Sequence, residues 1–123
     1  MIWGVVNARR EAVVTLHLRG PDGAEISVDA VVDSGFSGSL TLPAATVTTL
    51  GLTRQSGGSA IFADGSSHSF DIFAAEVEWD GNWRTILVSA VGTETLMGMG
   101  LLVGHELRIE VVPGGEVEIN PLP

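Results

Sequence analysis

The run Val31-Val32-Asp33-Ser34-Gly35-Phe36-Ser37-Gly38-Ser39 ends a β-branched stretch on an acid and then breaks into a glycine-punctuated turn. From Ser34 to Ala63 Arg54 is the only charged side chain. A carboxylate set in such a neutral neighbourhood can serve as a general acid or base, its strength set by its surroundings. The plainer role for the same residue is an Asx turn, in which the aspartate bonds its own local backbone. Asp29 lies four residues earlier on the same strand face, where it could orient the loop; a solvated acid near a strand end is the simpler reading.

The other residues able to do chemistry do not assemble into known patterns. His17, His68 and His105 are far apart, no pair has the spacing of a helix-borne zinc motif, and there is no cysteine, so no metal site is expected. Gly35–Ser39 approaches a nucleophile elbow but carries serine where the last glycine should stand. Gly98-Met-Gly-Leu-Leu-Val-Gly104 is one residue off a dinucleotide fingerprint and lies too near the end of the chain for the strand-helix unit that must follow it. No cofactor is expected. Trp79 and Trp83 flank one hairpin turn, which suggests cross-strand packing.

The elements that must position Asp33 are mostly strands. "AVVTLHLRG" and "AEISVDAVV" read as a hairpin turning at Gly20-Pro21-Asp22-Gly23, with Asp33 at the end of its second strand. "SLTLP" is a short strand, and Pro43 opens a helical stretch that stops at Gly51. The threonines of this helix give it little intrinsic propensity, so packing must hold it. Three further hairpins are expected. One centres on Asp64-Gly65 as a two-residue turn, one on Asp80-Gly81-Asn82 and one on Pro113-Gly114-Gly115, with a short helix near Met99–Val103. Many short strands at regular spacing predict an all-β, closed barrel-like domain over residues 1–123, with one or two short helices.

Composition narrows the function classes. The 123 residues are 45% hydrophobic and 17% charged, which suits one folded domain with a modest core. Fifteen acids against six arginines leave a net charge of −9, which repels phosphate backbones, so nucleic acid is not an expected partner. No apolar run is long enough to span a membrane. The N-terminus lacks the order of a secretory signal, so the expected location is cytoplasmic. The starting Met and the C-terminal hairpin suggest a free-standing protein.

Asp-Ser-Gly alone is a weak signal, expected by chance in roughly one chain in twenty of this length. Its context adds the weight: a β-branched strand before it, an apolar strand after it, a glycine-tipped hairpin, then Leu96-Met97-Gly98 leading into a short helix. That order resembles the retroviral-type, or retropepsin-like, aspartic proteases, and "DSGFSGSLTLP" looks like their small bacterial and archaeal members. The resemblance covers most of residues 13–112 and is strongest at 29–43 and 96–104. It implies that Asp33 is the catalytic acid, with Ser34 and Gly35 completing the turn. It implies a flap over roughly Ala60–Phe70 with its tip at Asp64-Gly65-Ser66, and Phe36, Ala63, Asp64, Gly65 and Ser66 near substrate. Leu96, Met97 and Gly98 would form the strand behind the catalytic loop. Phe36 stands where many viral members have alanine, the tip carries an acid, and the terminal strands do not clearly match the interleaved ones of viral enzymes.

The activity so implied is an aspartic endopeptidase, which needs two carboxylates. With one Asp-Ser-Gly per chain, the resemblance implies a two-fold homodimer acting on a peptide or protein substrate, with one Asp33 from each copy. The alternative is a catalytically silent module of the same fold that dimerises or grips a peptide.

Overall fold

The computed structural model describes residues 1–123. Alternation of apolar and polar side chains makes β2 (Ala12–Arg19) a strand with one dry face: Ala12, Val14, Leu16 and Leu18 are buried and their neighbours are not. It pairs antiparallel with β3 (Glu25–Val32) from Val13↔Val31 to Arg19↔Glu25. On the other side of β2, β1 (Ile2–Val6) pairs with Ala12 and Val13. The N-terminal stretch gives no clear alternation in sequence; it is a strand because β2 and the C-terminal strand β10 (Glu116–Pro121) hold it on both sides.

After β3 the chain makes the short strand β4 (Leu40–Leu42) and the helix α1 (Ala44–Leu50), which begins after Pro43 and is stopped by Gly51 in the left-handed region. A long hairpin follows, β5 (Thr53–Ile61) with β6 (Ser67–Trp79), and β6 continues into β7 (Asn82–Ala90). The β6–β7 turn is the two-residue Asp80-Gly81 loop, both residues at positive φ. Its register pairs Trp79 with Asn82 and Glu78 with Trp83. The two tryptophans therefore lie on opposite faces, not packed across the strands as expected: Trp79 is buried and Trp83 faces outward. The last elements are β8 (Leu96–Met97), α2 (Met99–Leu102), β9 (His105–Ile109) and β10.

The strands form one sheet in the order β5-β6-β7-β4-β8-β3-β2-β1-β10-β9, and an extra pairing of β2 with β6 closes β6, β7, β4, β8, β3 and β2 into a ring. At that seam Arg19 lies opposite Glu76, with Nε and Nη2 donating to its two carboxylate oxygens at 3.2 and 3.0 Å, and the guanidinium stacks on Trp83 at 4.2 Å. The Arg19 side chain holds the Glu76 carboxyl below the usual range. Inside the ring the core includes Leu16, Leu18, Leu40, Leu42, Leu50, Val88, Met97 and Leu101, all at most 2% exposed. Each buried leucine contributes about 2 kcal/mol relative to an exposed one. The fold is thus all-β and barrel-like, with two short helices, as the sequence pattern predicts. No helix is long and apolar enough to cross a membrane.

Candidate active site

The strands before and after the Asp33 turn do not pair with each other. β8 lies between them, parallel to β3 (Val31↔Leu96, Val32↔Met97) and antiparallel to β4 (Leu40↔Met97). The chain leaving β3 must therefore cross the end of β8 to reach β4, and residues 33–39 are that crossing. Its backbone is bound at four points to the chain behind it. Asp33 N–H donates to Met97 O at 2.8 Å, Gly98 N–H to Ser39 O at 3.0 Å, Met99 N–H to Phe36 O at 2.7 Å and Gly100 N–H to Gly38 O at 3.0 Å. Asp33, Ser34, Gly35 and Phe36 are thus brought together with Leu96, Met97 and Gly98.

Close approach makes glycine obligatory at 98. A Cβ there would lie 2.2 Å from Gly38 O and 2.5 Å from the Phe36 ring. Gly35 differs. A Cβ on it would meet only the Asp33 Oδ1, at 3.3 Å, so the rest of the chain does not claim that space. Behind the loop Thr41, only 5% exposed, accepts from Leu96 N–H at 2.9 Å and donates to Glu94 O at 3.1 Å, tying β4 to the approach of β8. Sequence reading passed over Thr41. A threonine inside the apolar triplet Leu-Thr-Leu was the available signal, since a buried hydroxyl requires a partner.

Asp33 is half-buried and Ser34 and Gly35 are exposed. Asp33 Oδ1 accepts from Gly35 N–H at 2.9 Å, and Phe36 N–H donates to Asp33 O at 3.1 Å, so the turn is closed by its own first residue. The Asp33 carboxylate makes no other hydrogen bond and no ion pair within the chain. Asp29 is occupied elsewhere, accepting from Thr15 Oγ1 at 2.8 Å across β2. Asp33 lines none of the main cavities; the roomiest, about 650 Å³, is an open hollow between Arg54, Gly58 and Asp71 at the base of the long hairpin.

Beyond Asp71 the β5–β6 hairpin has no third strand, since β7 pairs only from Asp71 onward. Residues 57–70 are therefore a two-stranded arm, tied at its base by an Arg54–Asp71 ion pair of 2.9 Å. Its tip is not the expected two-residue turn. Ile61 pairs with Ser67, Phe62 N–H donates to Ser66 O and Gly65 N–H to Phe62 O, leaving the three-residue loop Ala63-Asp64-Gly65 with Gly65 at φ +83°. The first hairpin turns the same way at Pro21-Asp22-Gly23, with Gly23 at +86°. At the arm tip Asp64 accepts from both the hydroxyl and the N–H of Ser66, which hold its carboxyl below the usual range. Phe62 stacks on His68 with ring centroids 4.0 Å apart. No hydrogen bond joins Ala63, Asp64, Gly65 or Ser66 to the Asp33 loop within one chain. His, Asp and Glu side chains form no cluster able to hold a metal ion.

No protein-family model matches the chain, and no curated protein matches it in sequence. Among solved structures, the crystal structure of a retropepsin-like aspartic protease from Rickettsia conorii aligns over 97% of this chain and 88% of that one, with a TM-score of 0.61 and 16% sequence identity. The fold is retropepsin-like.

Proposed function

We propose that the protein is an aspartic endopeptidase whose site is completed by a second copy of the chain. The observation that carries this reading is the Asp33 turn. It is fastened from behind by β8 and the start of α2, while the half-buried Asp33 carboxylate bonds nothing beyond its own turn and the space over Gly35 is unclaimed by the rest of the chain. Glycine at a position that the fold does not force points to something outside the chain, a substrate or a partner, that needs the room.

Peptide hydrolysis by carboxylates takes two of them. An ionised carboxylate takes a proton from water as the water attacks the scissile carbonyl, while a protonated one donates to the carbonyl oxygen. Two carboxyls that close cannot both ionise, so they share one proton and titrate as a pair. One chain holds one Asp-Ser-Gly, so two-fold pairing supplies the second Asp33. Ser34, exposed beside Asp33, would bond across the axis and lock the two turns in register. The arm over Ala60–Phe70 would close on an extended peptide, offer its backbone groups and exclude water. Phe36 and the tip residues Ala63, Asp64, Gly65 and Ser66 would line that cleft.

The test is cleavage of a mixed peptide library from acidic to neutral pH by wild type and Asp33→Asn, with sedimentation of both. Cleavage by wild type alone, with both proteins dimeric, supports the reading. Equal cleavage by the two proteins, or a monomeric wild type that cuts, overturns it.

A further inference from the structure

We infer that His105 and Trp79 form a latch that acid releases, and that the latch holds the junction of α2 and β9 behind the Asp33 turn. The inference goes beyond the proposed function and does not need it, because the latch is made of bonds within one chain.

The bonds fix the state of the imidazole. The indole Nε1–H of Trp79, which can only donate, donates to His105 Nε2 at 3.1 Å. On the other side of the ring, His105 Nδ1 lies 3.1 Å from Val103 O, which can only accept. Nε2 must therefore be bare and Nδ1 must carry the hydrogen, so this arrangement binds the neutral imidazole in one tautomer. A proton added at Nε2 would face the indole N–H, donor against donor. Trp79 is 5% exposed, and its N–H bonds to nothing else in the fold. Protonation would leave that buried donor unpaired, at the cost of the desolvation it suffered on burial.

The surroundings do not offset the added charge. Asp80, next to Trp79, is paired with the N-terminal ammonium, and Glu118 of β10 is paired with Arg108. β10 sets Pro121 opposite His105, and α2 has no charged side chain. Glu78 and Glu106 are one residue off along their strands and point to the opposite faces. Arg84 of β7 lies 5.8 Å from the Trp79 ring, a positive charge that opposes a second one. An unfolded histidine takes up a proton near pH ~6.5, and the latched ring does not. The stability that the latch adds is therefore present above that value and is lost as pH falls below it. The loss reaches the candidate site through α2. The two bonds tie the end of β6 to the turn between α2 and β9, and α2 opens with the Met99 and Gly100 N–H groups that fasten Phe36 O and Gly38 O.

The test is denaturant titration of wild type and His105→Gln on either side of histidine's range, at about pH 7.5 and about pH 5. NMR of the histidine nitrogens and of the Met99 and Gly100 amides accompanies it. Glutamine offers Trp79 an acceptor but does not titrate, and His17 and His68 are present in both proteins, so their titration cancels. From the higher pH to the lower, the wild-type unfolding constant should rise roughly 10-fold more than that of the variant. At the lower pH the Met99 and Gly100 amides should exchange faster in wild type than in the variant. If His105→Gln does not fold, Trp79→Phe takes its place: it leaves no indole N–H to face the ring and should flatten the pH dependence in the same way. A His105 with bare Nδ1 at neutral pH, or equal pH dependence in wild type and variant, overturns the latch. Unequal pH dependence with equal amide exchange upholds the latch and overturns its reach to the Asp33 turn. Cleavage enters none of these readouts, so a failure of the proposed function would leave them unchanged.

Discussion

Two turns of this molecule are nearly the same object locally. In Asp33-Ser34-Gly35 and in Asp64-Gly65-Ser66 the aspartate Oδ1 accepts the N–H two residues on, at 2.9 Å in both. What surrounds them differs. The first crosses the end of β8 and is bonded to Met97, Gly98, Met99 and Gly100 from behind. The second ends a two-stranded arm, and its polar bonds run only to its own neighbours and to His68. The Asx turn is therefore no evidence of a site. Backing by the rest of the fold is what separates a candidate catalytic acid from an acid that merely shapes a loop.

The largest expected effect separates the two aspartates. Asp33→Asn should lower cleavage by roughly 10²–10⁴-fold with an unchanged thermal midpoint, whereas Asp64→Asn should change cleavage only a few-fold. Comparable losses in the two variants would erase the distinction drawn here.

Next come the glycines on either side of the Asp33 turn. Gly98→Ala drives a methyl into Gly38 O and Phe36 and should cost about 3 kcal/mol in a denaturant titration. Gly35→Ala meets only the Asp33 carboxylate, so it should leave stability within about 0.5 kcal/mol while cleavage falls. A stable Gly98→Ala would mean that the loop is not backed as described.

Thr41→Val tests the same backing at smaller cost. It removes the acceptor of Leu96 N–H and should destabilise by about 1–3 kcal/mol, with faster amide exchange at Leu96 as the local readout.

The smallest effect belongs to the arm tip. Ser66 holds the Asp64 carboxyl below its ordinary range, so the tip is favoured above that range and loses the increment as pH falls through the lowered value. The Ser66 amide shift should follow this transition by NMR, and Ser66→Ala, which keeps the backbone N–H, should bring Asp64 part of the way back to ordinary titration. An Asp64 that titrates identically in both proteins would remove the hydroxyl as the cause.

Much of the fold is legible in the chain because it rests on local rules. Alternation in β2 and β3, Pro43 and Gly51 around α1, and Asp80-Gly81 between β6 and β7 are each decided within a few residues. The arm tip misled because Asp-Gly serves both two-residue and three-residue loops. Only the pairing of Ile61 with Ser67 determines which is formed. The tryptophans misled for a similar reason: one residue of register decides whether Trp79 and Trp83 share a face.

By itself, then, the sequence determined the strand content, the turn at 33–35 and the presence of a single candidate acid of this type, because these follow from side-chain pattern and backbone preference. The tertiary structure alone decided that β8 passes between β3 and β4, that β1 is held by β10 of its own chain, and that β9 is left with an open edge. Those outcomes depend on contacts between residues far apart in the chain, Leu40 with Met97 and Ile2 with Ile119 among them, formed only once the barrel closes, and no local rule carries them.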